Sequence, residues 1–198
     1  MTGSIHVHSW YAASVPAFPA QSSLEGMLQA DVCILGAGIT GLSTAIELAE
    51  TGLSVVVLEA HQVGWGASGR SGGQAIFGFG CDQKKITEAV GLADSRRLFN
   101  WSLEGLELIK WRCARYGIDC DWRDIHAHVP NKPRHITELK ALQHDLAENF
   151  NYPLQWWDRE QLQAVMPNQR YLGALVDANS GHLHPLKYTQ GLARAALG

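Results

Sequence analysis

Gly36-Ala37-Gly38-Ile39-Thr40-Gly41 is a G-x-G-x-x-G turn set between an apolar run and a helical pattern, and no other feature narrows the fold of this chain as much. The run Asp31-Val32-Cys33-Ile34-Leu35 stops at Gly36 and reads as a buried parallel strand. After the turn, Ile39, Leu42, Ile46 and Ala49 recur at helical spacing, and Gly52 stands where a left-handed residue closes a helix. Ser54-Val55-Val56-Val57-Leu58-Glu59 is a second buried strand pattern, so the segment predicts a βαβ unit.

The glycines have separate steric tasks. Gly36 permits the tight turn, Gly38 lets a pyrophosphate approach bare backbone, and Gly41 lets the helix pack closely on the strand. The helix N-terminus adds N–H groups and partial positive charge. At the end of the second strand, Glu59 can accept hydrogen bonds from ribose hydroxyls and would repel a 2′-phosphate, which argues for a dinucleotide other than NADP. From Gly64 to Gly80 follows a glycine-rich, mostly non-periodic stretch too long for a plain connection.

Farther on, Phe99, Leu103, Leu106, Ile109, Cys113 and Tyr116 predict an amphipathic helix ending at Gly117. A second helix is expected from Pro133, with Ile136, Leu139, Leu146 and Phe150 on one face. Asp121 to Val129, Leu154 to Trp157 and Tyr171 to Val176 have strand character, and Leu186 to Leu197 is helical in pattern. Asp158, with Glu160 and Gln161 after it, has the composition of a helix cap. Only two clear parallel strands are present, fewer than a doubly wound sheet needs, so the domain is expected to be incomplete.

The formal charge of −3 and the absence of a long run of like charges give no field for nucleic acid or anionic lipid. Met1 to Ala30 lacks a basic start and a long apolar run, and reads as an arm on a cytoplasmic protein, with no membrane segment. Cys33, Cys81, Cys113 and Cys120 form no C-x-x-C pair, so neither a zinc knuckle nor a dithiol motif is expected; mostly buried, reduced thiols are, Cys33 foremost. His6 with His8, His126 with His128 and His182 with His184 are H-x-H pairs, but no carboxylate or cysteine stands at a telling distance, so no metal site is expected. His182 and His184 are expected to shape the turn into the last helix. Trp122, Trp156 and Trp157 lack a basic groove and read as packing residues.

The run from Glu59-Ala60 through Gly64-Trp65-Gly66-Ala67-Ser68-Gly69-Arg70-Ser71-Gly72-Gly73-Gln74 resembles the FAD-dependent D-amino-acid oxidase superfamily. Within it, the branch of gamma-glutamylputrescine oxidase and related amine oxidoreductases is most similar. Tyr11-Ala12-Ala13, Ile118-Asp119-Cys120-Asp121, Gly173-Ala174-Leu175 and Gly181-His182-Leu183-His184-Pro185-Leu186 carry the likeness over nearly the whole chain. The fold it implies is α/β: a Rossmann-like FAD-binding βαβ lobe with part of an α+β substrate domain. The implied division is an arm at 1–30, the βαβ unit and flavin loop at 31–80, a helical and partial substrate-domain segment at 81–170, and a return to the FAD-binding domain at 171–198. Relatives are longer, so the chain would be their N-terminal part.

The resemblance also implies a cofactor site. Gly36, Ala37, Gly38, Ile39, Thr40 and Gly41 would bind the FAD pyrophosphate, Glu59 with Ala60 the ribose, and Ser68, Gly69, Arg70, Ser71, Gly72, Gly73 and Gln74 would run along the cofactor towards the flavin. Arg70 could neutralise phosphate charge or charge on the reduced flavin. No histidine stands in the loop to attach the flavin, so FAD is expected to be non-covalent. The implied reaction is oxidation of an amine C–N bond by hydride transfer to flavin, with imine hydrolysis and dioxygen as acceptor. No catalytic base can be named. The alternatives are an oxidase or dehydrogenase of glycine, sarcosine or a D-amino acid, a non-catalytic flavin-binding remnant, and an NAD-dependent dehydrogenase.

Overall fold

The computed structural model describes residues 6–198, so the first five residues of the expected arm lie outside the described residues. Along the chain run α1 (Trp10–Ala13), β1 (Val32–Leu35), α2 (Ile39–Glu50), β2 (Val55–Leu58), a short 3-10 turn (Ala67–Gly69), β3 (Gln74–Ala75), α3 (Gln83–Tyr116), β4 (Arg123–His128), α4 (Pro133–Phe150), β5 (Gln155–Trp157), α5 (Arg159–Val165), β6 (Ala174–His182) and α6 (Pro185–Leu197). They form two compact units, both assembled from separated stretches of chain.

The first unit takes the described residues up to Gln74, together with Lys110–Trp122 and Leu183–Gly198. Its sheet is the expected parallel pair, with Val32 opposite Val55 and Leu35 opposite Leu58. Leu42, Ala45 and Ile46 of α2 are buried, and α6 packs against α2. Arg112, only 3% exposed, donates to Ser43 Oγ and Glu47 Oε1, each at 2.7 Å. Arg115 and the Tyr116 hydroxyl both donate to Glu50 Oε1. Four charge-assisted contacts thus hold the end of α3 along α2. Ile118 fills the space beside Gly191 of α6, where a Cβ would lie 2.3 Å from Ile118 Cγ2.

The strands are less buried than their composition predicts. β1 alternates half-buried and exposed residues, and β2 is half-buried throughout. Ile34 faces Gly41 of α2, so strand alternation turns Cys33 and Leu35 to the opposite face, where Leu35 is 81% exposed. The expectation of a buried Cys33 is therefore corrected, and Cys81 is exposed as well. Cys113 and Cys120, which have no local pairing motif, bring their Sγ atoms within 3.5 Å.

The second unit comprises Ala75–Ile109 and Arg123–His182. Strand β6 is its spine, pairing with β3, β4 and β5. It is antiparallel to β4, with His126 opposite Asp177, and to β5, with Trp156 opposite Leu175. Leu175 joins a core of Phe99, Leu146, Phe150, Tyr152 and Leu154. The alternate residues Ala174 and Val176 pack with Leu162, Ala127, Val129, Trp157 and Tyr171. Trp156 and Trp157 are thus packing residues, one in each cluster.

Three boundaries differ from the sequence pattern. Helix α3 begins at Gln83 and is bent at Gly91, whose φ of 80° breaks the helix; Gln83 Nε2 and Thr87 Oγ1 hydrogen-bond Ser95 Oγ across the bend. Strand β6 starts at Ala174 instead of Tyr171 and continues to His182, because pairing with β4 extends it past the polar residues. His182 therefore ends a strand, while His184 alone shapes the helix entry by accepting the Lys187 N–H at Nδ1. Asp158 is the cap its neighbours predict, with reciprocal bonds to Gln161.

Between Asp124 and His126 the β4–β6 register shifts, and there the Asp177 side chain is buried, its residue 2% exposed. The Tyr152 hydroxyl donates to this carboxylate, 2.8 Å from each oxygen, and the Asn179 N–H donates to Oδ1 at 3.0 Å. Burial, and after it the hydrogen bond to that carboxylate, raises the Tyr152 phenol above its ordinary range. Removing the phenolic donor from a buried carboxylate is expected to cost about 1–3 kcal/mol. Tyr152→Phe should lower the urea midpoint accordingly, and an unchanged midpoint would show that this hydrogen bond contributes little.

Candidate functional site

The glycine turn is built where β1, α2 and β2 meet. Gly36 has φ +102° and donates its N–H to Leu58 O at 2.7 Å, tying the turn to the end of β2. Gly41 lies so near the strand that a Cβ would fall 2.1 Å from Gly36 O. Only hydrogen at that position allows the first turn of α2 to approach β1 this closely. Gly38 is the N-cap of α2 and offers no side chain to cap it.

Two side chains from elsewhere reach the turn. Glu59 Oε2 accepts the Ala37 N–H at 2.8 Å, and its Oε1 accepts the His61 N–H at 2.8 Å. These bonds fix the carboxylate beside the turn while leaving lone pairs for hydroxyl donors. Ser68 Oγ accepts the Ile39 N–H at 3.0 Å, so a hydroxyl occupies the mouth of α2. A Cβ on Gly38 would lie 2.8 Å from that oxygen. Ala37 is buried, Glu59 half-buried and Thr40 exposed.

Beyond Glu59, Ala60 is exposed and the chain folds back, the Gly64 N–H donating to Ala37 O at 2.9 Å. Gly69 is buried against Gly64 and Leu186, where a Cβ would fall 2.2 Å from Gly64 O. This fixes the 3-10 turn that carries Ser68. Arg70 is exposed; its Nε donates to Trp65 O at 2.7 Å and its guanidinium lies 4.2 Å from the Trp65 ring centre. His61 stacks on the same indole at 4.0 Å. Ser71, Gly72 and Gln74 are exposed, and Gly73 is buried, its carbonyl accepting the Leu183 N–H.

The structure therefore brings Gly36 to Gly41, Glu59 and Ser68 into one cradle and sets Arg70 in a stack with Trp65 and His61. That stack has no mark in the sequence beyond Trp65 and Arg70 lying in one glycine-rich loop. The cradle fits the diphosphate and ribose of a dinucleotide on its own geometry: bare backbone at Gly38, N–H groups at the mouth of a helix, and an oriented carboxylate one strand away.

In the second unit, His126 and His128 share a face of β4 with their rings 4.9 Å apart. Burial is the largest influence lowering both imidazoles below the usual histidine range, and the Asp177 charge opposes it. Neutral rings beside a buried carboxylate and phenol are a polar inclusion in an otherwise apolar layer. Sequence spacing placed the two histidines on one face; it gave no sign of Asp177 or Tyr152. Among the described residues, no group of three or more histidines, cysteines and acids is placed to hold a metal ion.

The protein-family profile described as FAD dependent oxidoreductase matches residues 31–198. The chain is 43% identical over 196 residues to the probable oxidoreductase OrdL of Haemophilus influenzae, covering 97% of this chain and 45% of that protein. It is 38% identical over 190 residues to the gamma-glutamylputrescine oxidoreductase of Escherichia coli, covering 96% and 45%. Among solved structures, the L-amino acid deaminase of Proteus vulgaris superposes with a TM-score of 0.70 at 26% identity, covering 89% of this chain and 40% of that one. The glycine oxidase of Bacillus cereus shares the fold, with a TM-score of 0.64 at 20% identity, covering 85% and 44%. The chain thus spans about 45% of the length of the curated relatives it matches. With the glycine turn, the oriented acid and the match over 31–198 in agreement, this chain belongs to the FAD dependent oxidoreductase family.

Proposed function

We propose that this chain forms the nucleotide-binding part of an FAD-dependent amine oxidoreductase acting on a C–N bond of a substrate such as gamma-glutamylputrescine, with dioxygen as electron acceptor. The observation that carries the reading is the Glu59 carboxylate held on the Ala37 N–H at the mouth of α2, in a chain with 38% identity to a gamma-glutamylputrescine oxidoreductase. Gly36, Ala37, Gly38, Ile39, Thr40 and Gly41 would receive the pyrophosphate, Glu59 and Ala60 the ribose, and Ser68 to Gln74 the remainder of the cofactor.

FAD, when bound, supplies the two-electron acceptor that such a reaction needs. The chain's own residues supply position and charge. Backbone N–H groups at the start of α2 meet phosphate oxygens, with the Ser68 hydroxyl as a further polar partner. Glu59 orients the sugar through its remaining lone pairs and disfavours a 2′-phosphate. Arg70, already lying over Trp65, carries a cation that can turn to a phosphate or to the reduced cofactor. No covalent attachment is needed.

A second reading within the same family is oxidation of an amino acid, which the likeness to the Proteus vulgaris L-amino acid deaminase supports. Peroxide release measured on a panel of amines and amino acids separates the two. Turnover of gamma-glutamylputrescine in preference to glycine, sarcosine and D- or L-amino acids is expected, and the reverse preference overturns the amine reading.

The cofactor assignment has its own test. The purified chain is expected to bind FAD and gain thermal stability from it, with no comparable gain from NAD; stabilisation by NAD alone would refute it. Gly38→Ala should weaken FAD binding at least about tenfold, the equivalent of about 1.4 kcal/mol, with little loss of stability without FAD. The backbone there has φ −92° and ψ −178°, which alanine tolerates, and the Ser68 hydroxyl can swing aside. Equilibrium dialysis against FAD, beside a thermal melt, measures both.

A further inference from the structure

Cys113 lies in the last turn of α3, and Cys120 follows a reversal made at Gly117, where φ is +60°. The Ile118 N–H donates to Cys113 O at 2.9 Å, which folds the following residues back over the helix end. The two sulfurs are thereby brought to 3.5 Å. Cys120 is 2% exposed, and its carbonyl accepts the His184 N–H at 2.7 Å, so its backbone is anchored to the entry of α6. Cys113 is only half-buried. The pair therefore combines a reachable thiol with a sheltered one already in sulfur contact, the arrangement of an attacking and a resolving cysteine.

We propose that Cys113 and Cys120 are a peroxide-responsive dithiol: hydrogen peroxide oxidises Cys113, and Cys120 then closes on it to form an intrachain disulfide. In the first step the Cys113 thiolate attacks one peroxide oxygen, the O–O bond breaks, and the departing hydroxide takes a proton and leaves as water, giving a sulfenic acid. In the second, Cys120 attacks the Cys113 sulfur, its own proton goes to the leaving hydroxyl, and a second water departs as the S–S bond forms. Two thiols lose two electrons and one peroxide gains them. Polarity favours this order, because the hydrogen bond from Cys120 lowers the Cys113 thiol below the ordinary range, while that bond and burial raise Cys120. The closing movement is short, and the resulting bridge would pin the end of α3 to the segment that meets α6.

The proposal goes beyond the oxidoreductase reading and does not depend on it, because added peroxide serves as the oxidant. The reduced 198-residue chain would be treated with one equivalent of hydrogen peroxide, blocked with an alkylating reagent and digested with trypsin. Cleavage after Arg112, Arg115 and Arg123 puts the two cysteines on separate peptides, Cys113–Arg115 and Tyr116–Arg123. The expected product is these peptides joined, lighter by two hydrogens and separated by dithiothreitol, with Cys33 and Cys81 mostly alkylated. The oxidised chain should melt several degrees higher, as expected of a bridge that limits the unfolded chain. Cys120→Ala should leave Cys113 as sulfenic or sulfinic acid. Cys113 reaching sulfinic acid in the wild type with Cys120 still alkylatable after denaturation would overturn the proposal. So would oxidation of Cys33 and Cys81 while the pair stays reduced. The wild-type peptide map decides the matter even if a substituted chain fails to fold.

Discussion

The contact between Gly41 and the carbonyl of Gly36 is the constraint from which the cradle follows. With no side chain between them, α2 begins directly over the end of β1, and its first N–H groups open at the strand's edge. The tie from Gly36 to Leu58 then sets the end of β2 beside the same edge. Glu59, the next residue, has only to turn inward to meet Ala37. A hydrogen bond between a carboxylate and an N–H is worth about 1.5–3 kcal/mol, and Glu59 makes two. The acid is thereby pre-oriented, so less ordering is left for a ligand to impose.

Strand β6 organises the second unit in a different way. Its alternation divides two apolar clusters, Leu175 entering one and Ala174 with Val176 the other. At Asp177 the alternation delivers a carboxylate to a buried position, and the register shift beside it supplies the Asn179 N–H. A bulge of this kind re-aims a side chain within a regular sheet. A lone buried carboxylate would be costly, and the Tyr152 hydroxyl and Asn179 N–H are what make it tolerable.

The parts of this fold that were legible in the sequence are those whose cause is local. The βαβ unit needs only two apolar runs, a helical period and glycines at fixed offsets, all within a single stretch of chain, and the matched family and solved structures agree with the fold read from it. The caps at Asp158 and His184 are local too. Burial of Cys33 was not legible, because an apolar strand pattern is the same whether one face or both are covered. Only the approach of α2 to the Ile34 side decides which face Cys33 takes. The far end of β6 was not legible because β4, not the local residues, carries the ladder on to His182. The meeting of Cys113 and Cys120 depends on a reversal at Gly117 and the anchoring of Cys120 by His184, and their spacing carries no recognised motif.

The cradle is written in one short stretch, yet it is held in shape by residues far away in sequence. Ser68 reaches the Ile39 N–H because its 3-10 turn is seated against Leu186, and Gly64 beneath it packs on Leu186 and Thr189, all through α6. Helix α6 is in turn placed by Ile118 against Gly191 and by the bond from His184 to Cys120. Arg112 then ties the same returning segment to α2 itself through Ser43 and Glu47. A closed circuit results, running from α2 to the end of α3, on to α6, through the 3-10 turn and back to the mouth of α2. A change at Ile118 or Leu186 would therefore act on the cradle by moving Ser68, without touching any residue of the glycine motif.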